Sequence, residues 1–304
     1  MLVLVNGLPL FAKRIVKDLN AFDRRNTYVF TDTYYSLWGK IKFFLFLPFS
    51  KVIISFNGVS APSGSLNWAL KFKKKIVMQW QGTDVSLALS RFNDNTIYRK
   101  YIDNSIHLTD AVWLKSELDK FINSVKIVPF KHFNMIENKV NYKQISILSY
   151  IAKGRESFYG YDELFLAAKN FPEIQFNIIG TDGEGKELLQ NIVFHGWIDE
   201  FKVNQLMRES PIFIRLTKHD GNSVSVFEAL GNGCEVIWSY PNEKSYLATD
   251  SNELISVLED LVLSIRARNF TPNQNNFHFV KDNYNKEVIL SNYIKVLNNF
   301  SNEK

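Results

Sequence analysis

Two carboxylates, Asp220 and Glu228, stand with seven residues between them in the stretch 215–239. Carboxylates only accept hydrogen bonds when ionised, so a functional pair of this kind suits hydroxyl groups rather than phosphate. The neighbouring residues predict what positions the pair. Residues 212–216 are apolar apart from Arg215 and short enough for a buried parallel strand. Residues 218–222 read as a loop in which Gly221 is free to adopt a backbone that larger residues resist. Asn222 or Ser223 then caps a helix with an apolar face of Val224, Phe227 and Leu230. Residues 231–233 stop that helix, and 235–238 form the next strand. A helix N-terminus just outside the carboxyl end of a strand offers unpaired amides and partial positive charge, the usual phosphate site of open α/β sheets. Amides for a diphosphate beside carboxylates for hydroxyls describe a nucleotide-sugar site. The plainer reading is a capped amphipathic helix whose acids favour its dipole.

The chain is long enough to surround such a site with two domains. Its 304 residues, 46% of them hydrophobic, suffice for one large core or two modest ones. Charge divides it: residues 1–140 hold 20 Lys and Arg against 10 Asp and Glu, whereas 141–304 hold 16 against 21. A basic first half points to an anionic membrane surface or a phosphate-bearing acceptor, because no nucleic-acid-binding motif accompanies it. The single cysteine, Cys234, forms no internal disulfide and reads as a small core residue in a reducing cytoplasm. The first residues read as a strand and turn rather than a charged leader before an apolar segment, so a cytoplasmic location is expected. Residues 38–49 are the most apolar stretch and too short to span a bilayer. With Lys40, Lys42 and Lys51 around them, they read as an interfacial helix or as a helix packed beneath the strand 52–55. The general burial of hydrophobic residues favours packing.

The segment Asp220-Gly-Asn-Ser-Val-Ser-Val-Phe-Glu228-Ala-Leu-Gly-Asn-Gly resembles the Glu-x7-Glu signature of retaining GT-B glycosyltransferases, especially glycosyltransferase family 4. Asp220 replaces the first Glu by a shorter carboxylate. The resemblance implies an α/β fold of two Rossmann-like domains facing each other across a cleft. Their expected bounds are 1–135 for an acceptor domain and 136–283 for a nucleotide-sugar domain, with a last helix, 284–304, crossing back. It further implies that Glu228 binds the donor ribose, Asp220 the donor sugar, and the amides of Gly221, Asn222 and Ser223 the diphosphate. Gly7, in the turn after the first strand, would face the cleft. Arg155 and Gly160 suit the family's diphosphate-binding Gly-Arg and Lys-Gly, although Tyr159 stands where the lysine is usual; Lys153 is the nearby cation that would replace it. An arginine fork suits paired phosphate oxygens.

Arg215 interrupts a buried strand and needs either a phosphate or a salt bridge to Asp220. Trp197 and Ile198 are candidate contacts for the donor base, the alternative being a buried tryptophan without a ligand. On the acceptor side, Trp80-Gln81-Gly82-Thr83-Asp84 resembles the family's Trp-His-Gly-Thr/Ser-Asp segment. Gln81 cannot hold a proton near neutral pH, so no histidine base is assigned there. Asp84 either contacts the acceptor or caps a helix. Residues 110–114 read as a strand and 133–143 as a linker.

The implied activity is metal-independent, cofactor-free retaining transfer from a UDP- or GDP-linked sugar to a hydroxyl acceptor. A glycan or lipid-linked saccharide of surface polysaccharide or glycoconjugate assembly is the expected acceptor. Arg155, with the loop amides, would stabilise charge on the leaving diphosphate. The alternatives are a GT-B nucleotide-sugar epimerase and a non-catalytic nucleotide-sugar-binding protein.

Overall fold

The computed structural model describes residues 1–7, 9–133 and 142–302, so most of the expected linker lies outside the described residues. It resolves into two compact units. The first comprises Met1–Lys131, Asp220–Asn222 and Lys286–Lys304; the second comprises His132–His219 and Ser223–Asn285.

The first unit runs β1 (Leu2–Gly7), α1 (Pro9–Phe22), β2 (Thr27–Thr31), α2 (Leu37–Phe46), β3 (Val52–Phe56), α3 (Gly64–Lys71), β4 (Lys75–Trp80), α4 (Thr83–Asn93), α5 (Arg99–Ile102), β5 (Ser105–Thr109), α6 (Val112–Leu118) and β6 (Val125–Ile127). Its strands pair in parallel in the order β2-β1-β3-β4-β5-β6. Strand side chains alternate between faces, and helices cover both, which is why these strands are almost continuously apolar. Val3, Val5, Ile54 and Val77 join one core cluster with Ile15 and Leu19 of α1. Leu4, Ile53 and Met78 join the other, with Leu66, Val85 and Leu114 of α3, α4 and α6.

The second unit runs β7 (Ser146–Tyr150), a 3₁₀ turn (Glu156–Tyr159), α7 (Tyr161–Asn170), β8 (Gln175–Ile179), β9 (Ile192–Gly196), α8 (Glu200–Glu209), β10 (Ile212–Arg215), α9 (Val224–Gly231), β11 (Glu235–Trp238), β12 (Tyr246–Leu247), α10 (Ser251–Ala267) and α11 (Gln274–Asn283). Its parallel sheet has the order β12-β11-β10-β7-β8-β9. Ile147, Ile178, Ile214 and Ile237 pack on Leu164 of α7 and Leu254, Leu258 and Ile265 of α10. The last helix, α12 (Lys286–Asn302), belongs to the first unit. There Leu290, Tyr293 and Leu297 share a core with Val3 and Val5, and Lys286 Nζ meets Asp18 Oδ1 at 2.6 Å.

Each sheet reverses its order once, between β1 and β3 in the first and between β7 and β10 in the second. Ligands of open α/β sheets bind outside the carboxyl ends of the strands at such reversals.

Two expectations are corrected. Residues 110–114 are not a strand: β5 ends at Thr109, and Val112 starts α6, which buries Leu114 and Leu118. A short apolar run carries too little periodicity to separate the two states. Residues 38–49 are not packed as a whole beneath β3. Only Gly39, Phe43 and Leu47, one narrow stripe four residues apart, are buried there. Among the described residues no helix is long and apolar enough to cross a membrane.

Candidate functional site

The order reversal of the second sheet lies between the carboxyl ends of β7 and β10, and a cation follows or ends each strand. Arg215 is the last residue of β10, and exposed Arg155 precedes the 3₁₀ turn after β7. Both guanidiniums meet one ring: their centres lie 5.7 Å (Arg155) and 5.5 Å (Arg215) from the Tyr159 centroid. Arg155 also stacks on Phe158 at 4.1 Å, and Tyr150, at the end of β7, meets Tyr159 edge-on at 5.4 Å. Gly160 makes this convergence possible. Its φ is +73°, and a Cβ there would lie 2.5 Å from Leu216 Cβ and O, so only glycine lets the turn sit against the end of β10. Lys218 N then donates to Phe158 O at 3.0 Å, tying the loop after β10 to the same turn. Tyr159, which stands in place of the family's lysine, is therefore the plate on which two arginines rest.

Helix α9 starts beyond this loop. Ser223 occupies the cap position but makes no capping bond; its Oγ lies 3.2 Å from Ser225 Oγ. The first amides of a helix have no intrahelical acceptor, so α9 retains donors in its own first turn. Glu228 is half-buried and follows Val224 and Ser225 along the less buried side of α9, while Val226, Phe227, Ala229 and Leu230 face the interior. The expected apolar face thus shifts from Val224 to Val226.

Lys153 does not supply a free cation here. Its Nζ pairs with Asp182 Oδ2 at 2.7 Å and Glu184 Oε2 at 3.1 Å, and Lys153 holds the Asp182 carboxyl below its ordinary range. Trp197 is 85% exposed beside half-buried Ile198, which removes the reading of a buried tryptophan without a ligand. Cys234 is buried, with its thiol 3.3 Å from the carbonyls of Met207 and Ser210, and burial pushes it up to about 12. An inert core residue is what the sequence suggested.

The tripeptide Asp220–Asn222 is held within the first unit. Trp113 Nε1 donates to Asp220 O at 2.8 Å, and Lys131 Nζ donates to Asn222 O at 2.6 Å. Lys131 also pairs with buried Asp110 at 2.9 Å. Burial pushes the Asp110 carboxyl up, and the Lys131 ammonium opposes that shift. Gly221 N donates to Asp220 Oδ1 at 3.0 Å and Asn222 N to Asp110 Oδ1 at 3.4 Å. The amides of 221 and 222 are thus engaged by carboxylates, a correction to the expectation that they lie bare for a diphosphate. Gly221 is required for space rather than for a left-handed backbone, since a Cβ would sit 1.9 Å from Gln81 O. Asp110, Lys131 and Trp113 went unnoticed in the sequence, where nothing in their spacing links them.

Asp84 is not the cap of α4, whose cap position is Gly82, but lies in the first turn of that helix. Its carboxylate accepts from the amides of Gly58 (2.6 Å), Gln81 (3.0 Å), Gly82 (2.8 Å) and Val85 (3.0 Å), closing the turn between β4 and α4. Burial pushes this carboxyl up and the four amides pull it down. Such a group is committed to backbone. The neighbouring Gln81 is different: its side-chain amide is buried, and neither Oε1 nor Nε2 has a hydrogen-bond partner among the described residues. Gly7 ends β1 in register with Phe56 of β3, at the order reversal of the first sheet. Beyond the end of β3, Thr33, Asn57, Ser63, Ser65, Trp68 and Arg91 contribute to a cavity of about 480 Å³.

Two parallel doubly wound units with these sheet orders define a GT-B fold. Residues 155–269 match a family model described as glycosyl transferase-like. The whole chain superposes on solved GT-B structures. Sucrose-phosphate synthase from Thermosynechococcus elongatus aligns with a TM-score of 0.69 at 12% identity, covering 99% of this chain and 99% of that one. WaaG, a glycosyltransferase involved in lipopolysaccharide biosynthesis, aligns with a TM-score of 0.61 at 11% identity, covering 100% of both. UDP-GlcNAc 2-epimerase from Neisseria meningitidis, bound to UDP-GlcNAc, aligns with a TM-score of 0.56 at 13% identity, covering 99% of this chain and 100% of that one. No curated protein matches the chain in sequence. The chain therefore resembles GT-B glycosyltransferases, in sequence over residues 155–269 and in fold throughout.

Proposed function

We propose that this chain is a retaining glycosyltransferase that moves a sugar from a UDP- or GDP-linked donor to a hydroxyl of a saccharide acceptor, free or lipid-linked. The observation that carries the reading is the pair Arg155 and Arg215, set on Tyr159 at the order reversal of the second sheet. Two fixed guanidiniums oppose the charge that grows on a departing nucleoside diphosphate, the largest electrostatic change in the reaction. The donors in the first turn of α9 add to that field. Glu228 accepts from the ribose hydroxyls, and Asp220 from a hydroxyl of the donor sugar. Exposed Trp197 and Ile198 offer a face for the base. The donor bond breaks through an oxocarbenium-like state. The two arginines supply the positive charge at the leaving group, so the reaction needs no metal.

On the acceptor side, the Gln81 amide gains its missing partner from a substrate hydroxyl. The cavity beyond β3, with hydroxyl and aromatic walls, suits a saccharide. An epimerase shares this fold, but its chemistry moves protons at the sugar ring and needs acid and base groups there. Gln81 neither takes up nor releases a proton near neutral pH, Asp84 is occupied by four amides, and Asp110 is paired with Lys131.

Calorimetric titration with UDP and GDP, followed by incubation with their sugar conjugates, tests the reading. Nucleotide binding and a transferred or slowly hydrolysed sugar with unchanged anomeric configuration by proton NMR are expected. An epimerised sugar nucleotide, or binding with no turnover of any donor, overturns it.

A further inference from the structure

Helix α2 is apolar on almost every side, yet it buries only Gly39, Phe43 and, just past its end, Leu47. Ser36 fixes its start, accepting from Gly39 N at 3.0 Å, and Gly39 packs so closely that a Cβ would lie 2.1 Å from Asp32 O. The rest of its hydrophobic surface faces solvent. Leu37 is 74% exposed, Trp38 78%, Leu45 64% and Phe49 75%. The face continues through Phe44, whose ring meets Trp68 of α3 at 5.8 Å, and from Trp68 to Phe72 at 6.2 Å. Isolated exposed hydrophobes need no explanation, but a contiguous aromatic and aliphatic face of this kind marks an interaction surface.

The charge around it chooses the partner. Residues 33–83 contain seven lysines and no aspartate or glutamate. Lys40 and Lys42 project from α2 itself and are exposed, as is Lys51 just after it. Lys71 lies over the Trp68 ring at 4.6 Å, and Lys74 Nζ donates to Pro48 O and Ser50 O at the end of the α2 segment. Hydrophobic side chains interleaved with cations of one sign complement a surface that is apolar within and negative at its rim. Tryptophan and lysine partition to that boundary.

We propose that this face, from α2 across to α3, docks the chain on an anionic lipid bilayer, with Leu37, Trp38, Leu45 and Phe49 inserted at the headgroup boundary and the lysines on lipid phosphates. Lys40, Phe44 and Trp68 also line the cavity beyond β3, so that cavity opens at the edge of the docked face. The proposal rests on the exposed face and its charge and stands independently of the transferase reading.

Co-sedimentation of the full chain with vesicles tests it. Vesicles containing phosphatidylglycerol should bind the protein at low salt, pure phosphatidylcholine vesicles should bind it far more weakly, and about 0.5 M salt should release it, because screening shortens to a few ångströms. Leu45→Glu with Phe49→Glu should weaken binding at least roughly tenfold, since both side chains lose their place in the apolar boundary. Lys40→Gln with Lys42→Gln should also weaken it roughly tenfold or more at low salt. Leu188→Glu, at a 78% exposed leucine of the second unit, should change nothing. Trp38 emission should shift to the blue on docking and remain unshifted with neutral vesicles. Absence of binding to anionic vesicles at low salt overturns the proposal, as does binding that neither pair of substitutions weakens. A dimer in sedimentation analysis that the Leu45 and Phe49 substitutions dissolve also overturns it, by making a second copy the occupant.

Discussion

The strand ends of the two units are built on opposite plans. In the second unit two guanidiniums are gathered onto an aromatic ring, and the helix that follows begins without a side-chain cap. In the first unit the corresponding carboxylates are consumed: Asp84 by four backbone amides, Asp110 by Lys131 and the amide of Asn222. Among the described residues, the buried side-chain amide of Gln81, just after β4, is neutral and has no hydrogen-bond partner. A site that must meet a dianionic leaving group gathers cations, whereas a neutral amide is enough to meet a hydroxyl.

The largest test of this contrast is removal of an arginine. Arg215→Ala should lower kcat by about 100- to 1,000-fold, the scale seen when one preorganised donor to a developing anion is lost. Activity within twofold of wild type would place the leaving group elsewhere. In the first unit the effect should fall on stability instead. Asp84→Ala leaves amides of the β4–α4 turn without an acceptor and should lower the unfolding free energy by about 3 kcal/mol, read by urea denaturation. An unchanged midpoint would show that the turn holds without its carboxylate.

Glu228→Ala should weaken UDP or GDP binding by about 10- to 100-fold by calorimetry, the worth of a hydrogen bond to a charged group. Its circular dichroism should match the wild type, because Glu228 lies on the less buried side of α9. Undiminished nucleotide affinity would remove it from the donor site. Gln81→Leu should move stability and activity in opposite directions. Replacing an unpartnered buried amide by an apolar group of similar size should stabilise the free protein by about 1 kcal/mol, while transfer slows roughly tenfold. A destabilised variant would show that the amide already has a partner.

Much of this arrangement is legible in the sequence, and the exceptions share one cause. The parallel strands read as unbroken apolar runs because helices cover both faces, and the segment from Asp220 to Gly233 reads clearly because acid, glycine, small polar residue and acid fall in register along one turn and helix. Information held between distant residues does not read. Asp182 and Glu184 follow Lys153 by some thirty positions, so its neutralisation has no local sign. Asp110, Lys131 and Asn222 come from three separate segments. Helix α2 is a different case. Its apolar residues occupy nearly every position, so no period shows which stripe is buried, and only the close approach of Gly39 to Asp32 selects the Gly39–Phe43–Leu47 edge. Asp84 was legible as an acceptor contact or a cap, but its partner Gly58, an amide on another loop, had no local sign.

The finest test concerns Tyr159, where this chain departs from the lysine of the resembling family. If the ring serves as a plate for Arg155 and Arg215, its hydroxyl is dispensable and its face is not. Tyr159→Phe should therefore keep donor affinity and kcat within about twofold, since both cation–π contacts survive. Tyr159→Leu keeps the bulk but loses the ring quadrupole, and two contacts of roughly 0.5–1 kcal/mol each correspond to a loss of about five- to thirtyfold in donor affinity. A lysine has a third outcome. Tyr159→Lys places a third cation beside two guanidiniums and removes their support, so it should weaken the donor despite matching the family residue. Recovery or improvement in that variant would mean that charge alone, rather than the fixed direction of two forks, holds the diphosphate. In that case the second unit would differ from the first only in sign, and not in how firmly its groups are aimed.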